Sequence, residues 1–178
     1  MTAQSEEPVY FWRPFEDNGY LGQWFTAPFT VPSPTDPITF QNCETYMMYH
    51  KALLFNDHTI AAEILFSTSD PQTVKALGRK VHNFDEKTWN ANKYEIVLRA
   101  NREKFKQNEK LRKVLLETGT RELVEASPMD RIWGIGFGKA NAEKNRYRWG
   151  KNLLGKALMQ VRRELMEEEN KTTDGKKA

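Results

Sequence analysis

The chain has 178 residues, with 27 Lys and Arg against 24 Asp and Glu for a net charge of +3, and a single cysteine, Cys43. That is one domain's length, enough to bury a core without disulfide or metal staples, and one cysteine excludes a disulfide framework or a Cys-rich zinc or iron–sulfur site. His50, His58 and His82 lie outside any metal-ligand pattern, no apolar run approaches the ~20 residues that span a bilayer, and the polar opening has no secretory core, so a soluble intracellular protein of cytoplasm or nucleus is expected, with no metal and no membrane partner.

Residues 1–8 read as a disordered lead-in and 168–178 as a flexible charged tail, around one domain over 9–167. The opening is crowded with aromatics, and short strands suit Val9–Trp12, Phe25–Val31 and Ile38–Phe40, with Pro32 to Pro37 as turn. Helices are expected at 43–55, 58–66, 71–79, 88–106, 108–118 and 150–168. Ser69-Asp70 before Pro71 is a cap with proline at the first helical position; Asn108 can cap the next helix and Gly119 can end it. Arg121–Ala126 suits a further strand, and Trp133 to Gly138 a loop or strand edge. Leu154, Leu158, Val161 and Leu165 form a packing stripe. The fold class is α+β: a helix-rich single domain with a small β-sheet.

On the helix over 43–55, about 100° per residue places Lys51, Met47, Met48 and Phe55 within about 60° of Glu44. A carboxylate and an ammonium on an apolar face cost several kcal/mol each unless paired or hydrogen-bonded. Either the two form a structural ion pair, or they are an acid and an amine in a cleft. In the second case desolvation lowers the lysine pKa, and the neutral amine can form a Schiff base with a sugar aldehyde.

Ser127 to Gly136 combines Asp130, Arg131, Trp133, Gly134 and Gly136. Gly134-x-Gly136-x-Gly138 is not a dinucleotide fingerprint. The segment is either a tight turn with Trp133 as core, or a ligand loop whose glycines let backbone approach a ligand. Residues 99–113 hold seven Lys or Arg against two Glu, and 139–151 hold five against one. These runs either steer a phosphate-bearing ligand or are solvated faces. Arg79 is a separate phosphate candidate, and the surplus of Trp and Tyr is either core or a stacking surface for a base.

Several blocks in fixed order carry a resemblance. They are Tyr10-Phe11-Trp12, Gly19 to Phe25, Phe40-Gln41-Asn42-Cys43-Glu44 through Lys51-Ala52, Leu77-Gly78-Arg79-Lys80-Val81, Trp89, Ser127 to Gly136, and Trp149-Gly150-Lys151-Asn152-Leu153-Leu154-Gly155. Over residues 10–166 the chain resembles the NADAR (NAD- and ADP-ribose) superfamily, which includes YbiA-like N-glycosidases of riboflavin intermediates and hydrolases that free guanine from ADP-ribose. Where many relatives have L-S-N-F, this chain has Leu21-Gly22-Gln23-Trp24.

The resemblance implies cleavage of a C–N bond at the anomeric carbon of a ribose. It implies catalytic roles for Glu44, Lys51 and Asp130, and substrate contacts for Arg79, Trp89, Trp133, Gly134, Trp12 and Tyr20, with no cofactor. Glu44 would protonate the departing group, and Lys51 would attack the anomeric carbon to give an iminium. Alternatively, Asp130 or Glu44 would stabilise an oxocarbenium-like centre and activate water. The expected substrate is ADP-ribosylated guanine in nucleic acid, DNA or RNA, or nucleotide, with amino-pyrimidine ribose 5-phosphates of riboflavin biosynthesis as the alternative. A non-catalytic ADP-ribose-binding module and a basic nucleic-acid-binding domain are the other classes. No fused riboflavin-pathway deaminase or reductase is expected within the chain.

Overall fold

The computed structural model describes residues 7–67 and 70–175, so most of the expected lead-in, Ser69 of the expected cap and the last three tail residues lie outside the described residues. In chain order the elements are β1 Val9–Phe11, a 3-10 turn Gly19–Leu21, β2 Phe29–Val31, β3 Ile38–Phe40, α1 Cys43–Leu54, α2 His58–Ser67, α3 Pro71–Gly78, α4 Glu86–Gln107, α5 Glu109–Glu117, β4 Leu123–Glu125, α6 Lys139–Ala142, a second 3-10 turn Glu143–Arg148 and α7 Leu153–Gly175. The chain is α+β and helix-rich, as expected. The strands form two separate pairs among the described residues: β1 with β4 in parallel, β2 with β3 antiparallel. The final helix starts three residues later than expected and continues to Gly175, through much of the expected tail; residues 168–171 are exposed upon it. Among the described residues no helix is long and apolar enough to cross a membrane.

Two compact units divide the chain, one of Gln23–Asn108, the other of the residues before and after it. In the Gln23–Asn108 unit, three helices start by one device. Asn42, Asp70 and Asp85 each accept a bond from the backbone N–H of a threonine three residues on (Thr45, 2.9 Å; Thr73, 2.8 Å; Thr88, 2.7 Å), which satisfies a donor the helix cannot. Asp57 does the same for Ile60 at the start of α2 and pins His82 as well; these bonds hold its carboxyl down at about 2. Asn108 is not an N-cap: its side chain donates to the carbonyls of Lys104 and Pro28, closing α4. α1 packs on α2, α3 and α4, and Phe29, Phe40, Cys43, Tyr46 and Ala100 form a core cluster. Gly78 lies so close to α1 that an added Cβ would sit 2.0 Å from Met48 Sδ.

In the other unit, β1 and β4 are joined from Val9 N to Glu122 O and from Ala126 N to Phe11 O, 2.8 Å each. Tyr10, Val124, Ala126, Ile135 and Ala142 cluster there, and Leu154, Leu158, Val161 and Leu165 of α7 are fully buried, as the stripe requires. Gly119 ends α5 at a φ of 59°.

Candidate active site

The helical-wheel reading of α1 holds: Glu44, Met47, Met48 and Phe55 are buried and Lys51 is half-buried. Glu44 lies in the first turn of α1, at the positive end of the helix dipole, which favours an anion. Its own N–H donates to the carbonyl of Gln23 at 3.1 Å, so the segment that departs from L-S-N-F meets the helix at this residue. Gln23 Oε1 also accepts from Asn101 at 2.9 Å. Lys51 lies two turns on, about 10 Å along the axis.

The amine of Lys51 is confined. Its Nζ donates to the carbonyl of Gly78 at 2.8 Å and lies 4.6 Å from the Phe84 ring centre and 5.5 Å from that of Trp89. Burial lowers its pKa below the ordinary lysine value, the positive charge of Arg79 lowers it further, and Glu44 opposes both. Four expected residues, Glu44, Lys51, Arg79 and Trp89, thus belong to one electrostatic neighbourhood around one amine. Arg79 follows α3 and is exposed, with its guanidinium available to a phosphate. Phe84 and the Gly78 carbonyl were missed from the sequence. Phe84 falls between a left-handed Asn83 (φ 54°) and the capping Asp85, where the chain is turned to start α4, and no spacing in the sequence marks it. Lys93, one turn beyond Trp89, is buried and donates to Asn90 Oδ1.

In the other unit, the bend from Ser127 to Gly138 is built by Asp130. Its Oδ1 accepts from the backbone N–H of Ile132 (2.7 Å) and Trp133 (2.8 Å). Trp133 is half-buried. Around Gly134 the space for a side chain is filled by the carbonyls of Glu125 and Asp130, which gives that glycine a packing reason. Tyr20 turns its hydroxyl into the unit near Arg121, Glu117 and Arg162, and burial raises it to about 12. Tyr20, expected among the substrate contacts, thus has its hydroxyl buried within this unit. Trp12 is half-buried under the Arg13 guanidinium, 4.2 Å from its ring centre, and lines a cavity of about 370 Å³ with Tyr10, Phe15, Asp17 and Lys139.

The family model described as the NADAR domain matches residues 10–166. The chain belongs to the NADAR family. It is 44% identical to an N-glycosidase of Acanthamoeba polyphaga mimivirus, over 81% of this chain and 86% of that one. It is 31% identical to the N-glycosidase YbiA of Escherichia coli, over 88% of each. It is 32% identical to a riboflavin biosynthesis protein of Vibrio vulnificus, of whose length it spans 40%. The solved NMR structure of E. coli YbiA superposes on 93% of the chain and 88% of its own, with a TM-score of 0.72 at 28% identity. These comparisons put this NADAR chain among N-glycosidases, hydrolases that act on N-glycosyl compounds, in agreement with the reaction class read from the sequence.

Proposed function

We propose that this NADAR protein hydrolyses the C–N bond between guanine and the anomeric carbon of the attached ADP-ribose in ADP-ribosylated guanine of a nucleic acid or nucleotide, releasing ADP-ribose and restoring the unmodified guanine. The observation that carries the reading is the confined Lys51 amine, with its lowered pKa and its carbonyl and aromatic neighbours. A neutral amine is a nucleophile and an ammonium is not. Lys51 forms a C–N bond to the anomeric carbon as the bond to guanine breaks, and Glu44 delivers a proton to the departing group. The ring C–O bond at the anomeric carbon then breaks as a proton passes from the lysine nitrogen to the ring oxygen, which leaves an iminium; water adds to its carbon and gives up a proton to the nitrogen, the C–N bond to lysine breaks to restore the amine, and the sugar leaves as its aldehyde. Arg79 binds the phosphates.

The similarity to a riboflavin biosynthesis protein favours a second reading, in which the substrate is an amino-pyrimidine ribose 5-phosphate. The site would be the same, with one phosphate on Arg79 in place of two. Incubation with both substrates and mass analysis of the products separates the readings by release of ADP-ribose or of ribose 5-phosphate. Borohydride added during turnover should leave a reduced adduct on Lys51. If Lys51→Arg remains active and no adduct forms, the covalent route is wrong.

A further inference from the structure

We propose that the surface bearing Arg131, Arg148 and Lys151 docks single-stranded nucleic acid, with Tyr147 as a stacking platform for a base. Arg131 Nη2 donates to the carbonyl of Arg148 at 2.7 Å, and the two guanidiniums lie 5.8 and 5.7 Å from the centre of one ring, Phe137. The backbone N–H of Lys151 donates to the carbonyl of Arg131, 2.8 Å, so the exposed Lys151 leaves the chain beside Arg131. The glycines of the bend explain the fit. Gly136, at a φ of 76°, has the stem of Arg131 where a Cβ would be, 2.6 Å from its Cγ, and a Cβ on Gly150 would strike the Arg131 backbone.

None of these three cations has a carboxylate partner among the described residues. Arg146 on the same turn differs, being taken up by Glu122 and Glu143. Between Arg146 and Arg148 stands Tyr147, which is 84% exposed. Guanidiniums that accept phosphate beside an unburied aromatic face are the two components of a single-strand site, since every base has a π-face but a duplex keeps its own stacked inside. Lys139 and Lys144 are exposed along the adjoining turn and extend the positive track. The proposal rests on the reading above for its direction, since a strand would carry the modified guanine, but it can be measured without any reaction.

The test is fluorescence anisotropy with an unmodified, labelled 20-nucleotide single strand across a salt series. Arg148→Glu/Lys151→Glu should weaken binding at least about tenfold at low salt and reduce the slope of log affinity against log salt by about 1.4, at ~0.7 per lost phosphate contact. Tyr147→Ala should lose about five- to hundredfold at every salt concentration, and Tyr147→Phe should restore it. Arg148→Gln alone should give a smaller loss in the same direction. Lys110→Glu/Lys113→Glu, on α5, should bind as wild type does. A slope unchanged in the double variant, an equal loss in the α5 control, equal affinity for a duplex of the same sequence, or equal competition by poly-glutamate would each overturn the proposal. Binding without any cleavage of ADP-ribosylated guanine would refute the proposed reaction and leave the docking surface standing.

Discussion

At the scale of residues, the proposed chemistry turns on one amine, and its environment has separable parts. Burial is the largest influence on Lys51, Arg79 pushes its pKa down in the same direction, and Glu44 pushes it up. If the neutral amine is the nucleophile, kcat/KM rises with pH through an ionisation below the ordinary lysine value of 10.5. Arg79→Ala removes a repulsive charge, so the rising limb should move to higher pH, with an increase in KM from the lost phosphate contact. Glu44→Gln removes an attractive charge, so the limb should move to lower pH while the maximal rate falls by about 10²–10⁴, the range for loss of a general acid. Parallel pH profiles of the three proteins check this. Shifts of both variants in the same direction would contradict the assigned charges. Phe84→Leu keeps an apolar wall but removes the ring's negative face from the ammonium; a limb displaced to lower pH is expected.

At the scale of elements, the α1 part of the candidate site was legible in that Glu44, Met47, Met48 and Phe55 are buried as the helical wheel implies, but Cys43, Thr45 and Tyr46 are buried too, so α1 is enclosed on more than that one face. The N-caps of α1, α3 and α4 are each a short acceptor three residues before a threonine, but only that of α3 was expected, and α4 starts at Glu86, two residues before its expected start. Asn108 was misread because its amide can cap in either direction; only the nearby Pro28 and Lys104 carbonyls show which. The two strand pairs were anticipated as one sheet because three-residue strands carry no pairing signal. Phe84 escaped because its role depends on α1 and α4 meeting, not on any spacing in its own turn. α1 also carries a pH-dependent liability. His50 lies 4.1 Å from the Tyr46 ring, and burial, aided by the charge of Arg99, lowers it to about 4. Between pH 6.5 and about 4 the unfolded chain binds a proton that the folded one does not, so stability falls as pH drops through that window, by about 3 kcal/mol at most. His50→Gln should flatten this part of a plot of melting temperature against pH. A wild-type plot already flat from 6.5 to 4 would refute the assignment. Gly78→Ala belongs to the same element contacts. Its methyl would collide with Met48, so a loss of about 1–3 kcal/mol in urea melts is expected, together with weaker activity as the carbonyl that holds Lys51 shifts.

At the scale of the whole chain, the controlling fact is that β1 and β4 pair in parallel although more than a hundred residues separate them. Such a contact costs loop-closure entropy, so side chains must compensate. Tyr10 is the principal one. It is buried in the cluster with Val124, Ala126, Ile135 and Ala142, meets Trp149 edge-on with ring centres 6.4 Å apart, and donates its hydroxyl to Glu143. Burial and that carboxylate raise its pKa well above the usual tyrosine value, so it stays protonated across the physiological range. Removal of the ring should therefore cost about what large aromatic truncations cost, 3–5 kcal/mol, and removal of the hydroxyl only about 1 kcal/mol, because Arg146 still pairs Glu143. At about 2–4 °C per kcal/mol for a chain of this size, Tyr10→Ala should lower the melting temperature by about 6–20 °C and Tyr10→Phe by about 2–4 °C. A Tyr10→Ala protein that melted within 2 °C of wild type would mean that β1 contributes little to its own unit, and that the family match beginning at residue 10 marks function at that strand instead of folding.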